Sequence, residues 1–497
     1  MLNFKSHIGI KWMLLCTLAI TILSWCKFIV TGSIRVDQNP FPASLGYLVF
    51  VVFAGSLLVY GIQYWKLFNE EFGSSYDFKQ LKKYAWLQLG IASLAMPLLS
   101  NDVFVYLAHG ELSNRGFDVF SQQNVLPQSI WFNHLGNLWQ DAPCVYGPIN
   151  LLIAKLAAFM SFGNIWLALA CYKLIHFLMG IGIIGLIFQM AKSPQDFILV
   201  AFTPAFWLHN ISQVHNDLTG CLFFFTAVYF ITHDKIYYSA ILIALAVASK
   251  ISYIIYVPFI GLYYLLFVRT RKIYKSVIYG LAAIVLFTGF LVGSYALFWK
   301  NSSTLTVPIT YARDQAPSKT FSEVAGEILT VLMSNEGISS SINNQIENKN
   351  KVKENPKIYY WKITQKIFNY IGILLGIITT LIFAIKTKLK FTKKILVEYF
   401  IKMSMVFFLI YLHVFNAWYL VAFMPLLLLV GNLKRLKKYF IIISNFSGLH
   451  MIMLNIDRSS YLYYLLPVIV FLNIALFLWQ FKKNFLTVES NLNSENK

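Results

Sequence analysis

The sequence predicts an all-α, polytopic membrane protein with about 13–14 transmembrane helices. Of its 497 residues, 58% are hydrophobic and 12% are charged, whereas charged residues make up about a quarter of an ordinary water-soluble domain. The apolar residues also fall into many separate runs, and one bilayer-spanning helix takes about 20 of them. Composition and the number of runs therefore exclude a secreted protein and a protein with a single membrane anchor.

The excess of basic residues is a topology signal rather than the footprint of a nucleic-acid-binding protein. The chain has 41 Lys and Arg against 21 Asp and Glu, a formal net charge of +20. These residues lie in short clusters between apolar runs, as the positive-inside rule predicts for cytoplasmic loops. The clusters are Lys66/Lys79/Lys82/Lys83, Arg269/Arg271/Lys272/Lys275, Lys386/Lys388/Lys390/Lys393/Lys394, Lys434/Arg435/Lys437/Lys438 and Lys482/Lys483.

With the N-terminus inside, fourteen spans place all these clusters in the cytoplasm. The predicted spans are 9–30, 43–65, 84–100, 166–190, 196–210, 218–232, 237–250, 251–268, 277–298, 359–385, 395–413, 415–431, 439–456 and 461–481. The run 148–162 is assigned as a re-entrant or interfacial helix, because counting it as a span would move every later cluster outside. The first run has no small-residue cleavage pattern, so we expect a retained anchor rather than a signal peptide.

This topology divides the chain into three parts. Residues 1–298 form an N-terminal transmembrane module with an outer loop at 101–147, where tryptophans indicate short interfacial helices. Residues 299–357 form a second outer loop, partly flexible because of its polar "SSSINNQIENKNKVKEN" tract. Residues 358–497 form a C-terminal transmembrane module. Five cysteines, mostly in or beside apolar runs, imply no disulfide framework.

The segment "SNDVFVYLAHGELSNRGFDVF" follows the third predicted span. If Asp102 opens a helix, Tyr106, His109 and Ser113 follow at spacings of three or four on one face. A carboxylate there could act as a general base toward a sugar hydroxyl. The alternative is that Ser100, Asn101 or Asp102 merely caps the helix. The same loop contains Arg115 but no lysine.

Three further polar motifs fall at predicted outer ends of spans. "VYGP" ends in Gly147-Pro148, a pair suited to a tight turn and the first turn of a helix. "HND" (His215, Asn216, Asp217) precedes an apolar run, so Asp217 is either a cap or part of a site for a phosphate, a sugar or a metal. One His and one Asp fall short of a metal site.

The last motif combines Lys250 in "AVASKISY" with Trp418 and Tyr419 in "HVFNAWYLVAFMP". Lys250 either snorkels to the headgroups or neutralises a lipid phosphate. The two aromatic residues belong to an interfacial belt or stack on a sugar or a prenyl chain.

Read in order, these segments resemble the bacterial polyprenol-phosphomannose-dependent α-1,6-mannosyltransferases of the GT-C superfamily. The resemblance rests on "NDVFVYLAHGELSNRGFDVF", "VYGP", "HNDLTGCLFFF", "ALAVASKISY" and "WYLVAFMPLLLL". It implies a GT-C-like fold in the bacterial inner membrane. It also implies an inverting transfer of a hexose, mannose above all, from a polyprenyl-phosphate donor to a hydroxyl of a glycan, lipid or protein acceptor outside the cytoplasm.

Under this resemblance Asp102 deprotonates the acceptor, with Asp217 as the second choice for the base. His215, Asn216 and Lys250 offset charge on the leaving lipid phosphate, so we expect neither a metal nor another cofactor. Tyr146, Trp418 and Tyr419 line the donor groove. The remaining substrate-binding candidates are Tyr106, His109 and Arg115.

Two other classes of protein remain open. A lipid-linked-sugar flippase or other secondary transporter places its ionisable residues near the bilayer midplane, whereas the candidates here lie at outer boundaries. A membrane scaffold without catalytic activity leaves the ordered polar motifs unexplained.

Overall fold

Helices are the only regular secondary structure in the part of the chain that the computed structural model describes, and the predicted all-α class is confirmed. The described residues are 2–31, 43–69, 78–120, 125–135, 142–268, 273–314, 329, 356–389, 391–411, 416–430 and 436–445. Two compact units share the chain. The first contains Met1–Asp314, Thr379–Ser404 and Ala417–Ile456, and the second contains Gln315–Ile378, Met405–Asn416 and Asp457–Lys497.

Fifteen α-helices are numbered here in chain order among the described residues. They are α1 (Leu2–Thr31), α2 (Ala43–Asn69), α3 (Phe78–Ser93), α4 (Asp102–Asn114), α5 (Pro148–Met160), α6 (Ile165–Met190), α7 (Pro194–Ala201), α8 (Asp217–Thr232), α9 (Ile236–Ser249), α10 (Val257–Tyr263), α11 (Ile273–Ala296), α12 (Ser303–Asp314), α13 (Pro356–Leu389), α14 (Lys393–Val406) and α15 (Met424–Leu429). Residues 436–445 are also helical.

Shorter irregular helices join several of these elements. Five segments of 3-10 or π geometry matter for the fold, and they are Ala205–Ser212 (π), Ile251–Tyr256 (3-10), Tyr264–Val268 (π), Phe407–Tyr411 (π) and Ala417–Phe423 (3-10). Two short 3-10 turns, Leu126–Gln128 and Phe132–His134, lie in the segment where the sequence predicts interfacial helices.

Six helical segments of the described chain are long and apolar enough to cross a bilayer. They are Ile8–Val30, Val51–Asn69, Ile165–Met190, Ile251–Val268, Tyr274–Ala296 and Lys362–Lys388. Four shorter apolar helices accompany them, namely Pro148–Met160, Asp217–Thr232, Ile236–Ser249 and Trp418–Leu429. The chain is therefore a polytopic membrane protein, as predicted, and the number of 13–14 spans stays a prediction.

The helix α5 corresponds to the run that the sequence analysis treats as re-entrant or interfacial. Its 13 residues give a length of about 20 Å, against the roughly 30 Å of a hydrocarbon core. Gly147 is the N-cap and Pro148 the first helical residue, which is the arrangement that the "VYGP" motif predicts. The length fits a helix that does not span the bilayer alone, and its depth stays a prediction.

Two predicted spans are interrupted near prolines, where continuous helices were expected. In the span 84–100 the helix ends at Ser93, ahead of Pro97. The span 196–210 is divided between α7 and the π segment, with Pro204 at the break. The spans 251–268 and 415–431 contain no such break within their described residues but change from 3-10 to α geometry just ahead of Pro258 and Pro425. Proline lacks the N–H that a continuing α-helix requires, and it disfavours a helical residue before it.

Some predictions concern residues beyond the described ranges. The span 461–481, most of 439–456 and most of the loop 299–357 lie outside them, as does Lys272. Of that loop, 299–314 is described and contains α12. The division of the chain into 1–298, 299–357 and 358–497 stays a prediction.

Candidate active site

Asp102 opens α4, and its carboxylate lies beside two buried polar side chains. The carboxylate Oδ2 is 3.6 Å from His215 Nδ1, and the Tyr106 hydroxyl is 3.5 Å from Oδ2 and 3.4 Å from the same imidazole nitrogen. Asn101 is the N-cap of α4 but makes no capping bond through its side chain. The start of α4 thus combines a carboxylate, a phenol and an imidazole within about 3.5 Å of one another.

The "HND" motif follows a strained turn between the π segment and α8. Val214 has a φ of +58°, a conformation that a β-branched residue rarely adopts and that costs about 1–3 kcal/mol. Asn216 is the N-cap of α8 without a side-chain capping bond, and Asp217 is the first helical residue. All three side chains of the motif are buried. Strain of this kind, next to a π segment, occurs often at functional sites.

Lys250 and Asp217 form an ion pair across two helices. The ammonium Nζ is 2.7 Å from Asp217 Oδ1, and the exposed fractions of the two side chains are 16% and 4%. Tyr253 donates a hydrogen bond to the Asp217 backbone carbonyl over 3.3 Å. Lys250 follows the last residue of α9, so the pair connects the end of α9 to the start of α8. Lys250 is therefore held by a carboxylate inside the protein.

Aromatic rings surround both groups. Trp418 stacks on His215 with ring centroids 3.6 Å apart and planes at 16°, and the face of Tyr419 lies 3.8 Å from the Lys250 ammonium, a distance typical of a cation–π contact. Tyr146 meets the ring of Tyr106 edge to face, at 4.8 Å between centroids. The three aromatic residues that the sequence assigns to one groove thus each contact a polar residue of another motif, namely Tyr106, His215 or Lys250.

Both phenols link the two carboxylates. Tyr106 and Tyr146 interact electrostatically with Asp102 and with Asp217. Burial raises the pKa of both phenols well above the usual range, so both remain protonated at neutral pH and can donate a hydrogen bond. The site therefore contains two carboxylates, one ammonium, one imidazole and two neutral phenols.

Close backbone contacts fix the "VYGP" turn against the segment before Lys250. Gly147 N donates to the Ser249 carbonyl over 3.0 Å, and the Asn150 amide donates to the same carbonyl over 2.8 Å. A Cβ on Gly147 would lie 2.0 Å from the Ala248 carbonyl oxygen, so only glycine permits this approach. The positions of Tyr146 and Lys250 are thereby coupled.

A second glycine lets α8 approach the segment after Lys250. A Cβ on Gly220 would lie 2.3 Å from the Tyr253 ring, and this ring carries the hydroxyl that contacts Asp217. The "LTG" that follows "HND" therefore provides the space for a residue that fixes the start of α8.

Two predicted site residues make their contacts elsewhere. His109 Nε2 lies 3.3 Å from the Ala142 carbonyl, and burial lowers the pKa of this imidazole to about 4. Arg115 is 45% exposed, pairs with Glu111 at 3.1 Å and donates to the Gln128 carbonyl. Both side chains therefore hold the segment between α4 and α5, whereas the other nine candidates lie in the site or directly beside it.

The sequence analysis missed three residues that position the site. Gln213 Oε1 accepts hydrogen bonds from Leu98 N and Leu99 N, at 2.8 and 2.7 Å, and so fixes the segment before Asp102. Asn210 donates to the Trp418 carbonyl over 3.2 Å. Lys173, within the apolar helix α6, donates to the Ser212 carbonyl over 3.2 Å. A buried amide or a lone lysine in an apolar run is the signal that could have identified them.

Within the described ranges, no three His, Cys, Asp or Glu side chains come together in a way that would hold a metal ion.

Comparison with known proteins finds one family model that matches about half of the chain. The family described as "Alpha-(1->6)-mannopyranosyltransferase, N-terminal domain" matches residues 14–266, which include every site residue except Trp418 and Tyr419. No solved structure matches the chain.

Three curated relatives carry the same name. Alpha-(1->6)-mannopyranosyltransferase A of Corynebacterium glutamicum is 25% identical over 191 residues, 36% of this chain and 38% of the relative. The A enzyme of Mycobacterium tuberculosis is 24% identical over 198 residues, 38% of each chain. The B enzyme of C. glutamicum is 25% identical over 138 residues, 25% of this chain and 22% of the relative. The matched segments thus span well under half of these relatives.

The ordered motifs, their assembly into one site and the match over 14–266 lead to one assignment: the chain belongs to the alpha-(1->6)-mannopyranosyltransferase family defined by that N-terminal domain.

Proposed function

We propose that the protein is an inverting glycosyltransferase that moves a hexose, specifically mannose, from a polyprenyl-phosphate donor to a hydroxyl group. The acceptor is a glycan, a lipid or a protein, and the reaction takes place on the extracytoplasmic side of the bacterial inner membrane. The names of the relatives support mannose. The observation that carries the proposal is that a carboxylate–imidazole pair, Asp102 with His215, and a carboxylate–ammonium pair, Asp217 with Lys250, lie side by side at the start of α8.

The environments of the two carboxylates support Asp102 as the general base. Its side chain is 13% exposed, whereas that of Asp217 is 4% exposed and its Oδ1 is taken up by Lys250. A general base loses its negative charge when it takes the proton, and the ammonium 2.7 Å from Asp217 Oδ1 opposes that loss, so Asp102 is the better suited of the two. Asp217 instead holds Lys250 in place, so we revise its role from second-choice base to positioning residue.

In the proposed step Asp102 accepts the proton of the acceptor hydroxyl while the acceptor oxygen forms a bond to the anomeric carbon. The bond between that carbon and the phosphate oxygen breaks, and its electron pair leaves with the polyprenyl phosphate. Attack opposite the leaving group inverts the configuration at the anomeric carbon. The phosphate gains one negative charge, the carboxylate loses one, and no redox partner takes part.

Lys250 is suited to stabilise the charge that develops on the leaving phosphate. Its ammonium has three N–H donors, of which one points to Asp217 Oδ1. A cation fixed in advance stabilises a transition-state charge better than one that must reorganise during the reaction. His215, held between Asp102 and Trp418, is the second group that can face the phosphate.

The test compares membranes that contain the wild type, Asp102→Asn or Asp217→Asn. Radiolabelled sugar transfer from a panel of polyprenyl-phosphate hexoses should show a mannose preference for the wild type. Asn keeps the size and the capping ability of Asp but cannot accept the proton, so Asp102→Asn should lower the rate by on the order of 100-fold or more, with donor binding little changed. An active Asp102→Asn beside an inactive, well-accumulated Asp217→Asn would move the base to Asp217.

A further inference from the structure

The first turn of α8 contains buried polar atoms that have no partner within the described protein. Both amide atoms of Asn216 and the Oδ2 atom of Asp217 lack a hydrogen bond there. The two residues are 1% and 3% exposed. Buried polar atoms almost always form a hydrogen bond to protein, water or a ligand, because a buried polar atom without a hydrogen bond costs free energy. Three such atoms on two consecutive residues of the site indicate that a group from outside the described protein forms hydrogen bonds with them.

The chemistry of these atoms restricts the class of ligand. Asp217 Oδ2 and the carbonyl oxygen of Asn216 accept hydrogen bonds, while the Asn216 amide nitrogen donates them. A phosphodiester only accepts and a prenyl chain does neither. A hydroxyl group donates and accepts, so a polyol is the part of the proposed donor that can satisfy all three atoms.

Asp217 has a geometry suited to joining two parts of such a donor. Its Oδ1 holds the Lys250 ammonium at 2.7 Å, while Oδ2 belongs to the same carboxylate and remains available. A hydroxyl bound at Oδ2 therefore lies next to the cation that is suited to face the phosphate. One carboxylate can in this way set the distance between the sugar ring and the leaving group.

We propose that Asn216 and Asp217 Oδ2 recognise ring hydroxyls of the transferred hexose, and that they, rather than Asp102, select the sugar. This inference rests on the proposed function and names the recognition element of the same site. It assigns Asn216 to the sugar, whereas the sequence analysis assigns it to the phosphate.

A site built to bind a hydroxyl discriminates strongly against an analogue that lacks it, because the buried polar atoms are then left unpaired. Loss of one such hydroxyl should reduce kcat/KM by about tenfold when the partner is the neutral amide, and by up to about 100-fold when the partner is the carboxylate. The same analogue should be a normal substrate for an enzyme that no longer has the partner.

The experiment measures kcat/KM for polyprenyl-phosphate mannose and its 2-, 3-, 4- and 6-deoxy analogues. The enzymes are the wild type, Asn216→Leu, Asp217→Asn and Gln213→Met, each in membranes. Gln213 is the matched control, because it is a buried amide three residues away whose oxygen is bonded to Leu98 N and Leu99 N and whose nitrogen is bonded to Ser212. Gln213→Met should lower all five values by the same factor.

The expected result is coupling at one or two ring positions. There the deoxy penalty is about tenfold or more in the wild type, and it falls to within about twofold in Asn216→Leu, which keeps no polar partner. At a hydroxyl bound by the carboxylate it falls from up to about 100-fold to about tenfold in Asp217→Asn, whose amide can still bond the hydroxyl. Unchanged penalties in both variants overturn the inference, as does an equal loss of the penalty in Gln213→Met. If Asn216→Leu does not accumulate, Asn216→Asp tests the amide donors with the same criterion.

Failure of the proposed function has a different signature. In that case the wild type transfers sugar from none of the donors, and the inference falls with it. A wild type that transfers mannose but shows no coupling at any ring position leaves the proposed function intact and removes only the recognition role of Asn216 and Asp217.

Discussion

Replacing Gly147 by alanine should inactivate the protein through backbone displacement alone. The added Cβ would lie 2.0 Å from the Ala248 carbonyl oxygen, and contacts under 3.0 Å essentially never occur. The turn and the end of α9 must therefore separate by about 1 Å. Such a movement breaks the 3.0 Å bond from Gly147 N to the Ser249 carbonyl and moves Lys250, the next residue, away from Tyr146.

The expected loss is large for a single methyl group. Misplacing a catalytic group by about 1 Å can cost on the order of 100-fold in rate. We therefore expect sugar transfer by Gly147→Ala to fall about 100-fold, with Asp102 itself unaltered. Donor affinity should also weaken, because Lys250 moves.

The assay compares transfer rates in membranes at matched protein levels. Gly185→Ala, in the C-terminal half of α6, is the control, since a Cβ there meets nothing within 4 Å. It should retain wild-type activity. Gly147→Ala with more than about half of the wild-type rate would refute the argument that this contact couples the two motifs, since a shift of that size cannot leave the geometry intact.

Three further predictions concern charge, pH and topology. Lys250→Ala should weaken donor binding more than acceptor binding, and equal effects on both apparent affinities would mean that Lys250 serves only to neutralise Asp217. Because burial lowers the pKa of His109 to about 4, the unfolded chain binds the proton more tightly between about pH 6.5 and 4. The free energy of unfolding should thus fall by up to about 3 kcal/mol as the pH drops through that window. His109→Gln should reduce the pH dependence of the thermal unfolding midpoint in detergent. A pH dependence identical to that of the wild type would contradict this. A cysteine at Arg115 should react with an impermeant maleimide in intact cells and one at Lys192 should not; the reverse labelling inverts the topology.

Helical periodicity explains which parts of the site the sequence could predict. It places Asp102, Tyr106 and His109 on one face of α4, and the helix begins at Asp102 as expected. His109, however, is seven residues from Asp102, about 10 Å along the axis, so it contacts Ala142 instead of the site. Periodicity defines a face of a helix but not the groups opposite each turn of that face.

The long-range pairs could not be predicted for the same reason. Asp217 and Lys250 lie on different helices, and Trp418 stacks on His215 from a segment far along the chain. Hydropathy placed these residues at the ends of predicted spans, but it could not show which side chains contact one another. It also could not show the breaks near Pro97 and Pro204, because irregular backbone buried within a membrane protein remains apolar in composition.

Trp418 and Tyr419 lie late in the chain, so they are synthesised after the other residues of the site. The ribosome completes α8 and α9 long before these aromatic residues, and the short connection between Thr232 and Ile236 brings the two helices together as a hairpin. Asp217 and Lys250 can therefore neutralise each other as soon as that hairpin is inserted, which spares the nascent chain two isolated charges in the bilayer. The ring of Trp418, which stacks on His215, is synthesised only with the last third of the chain. A nascent chain that ends before Trp418 therefore contains the Asp217–Lys250 pair but lacks the ring that stacks on His215.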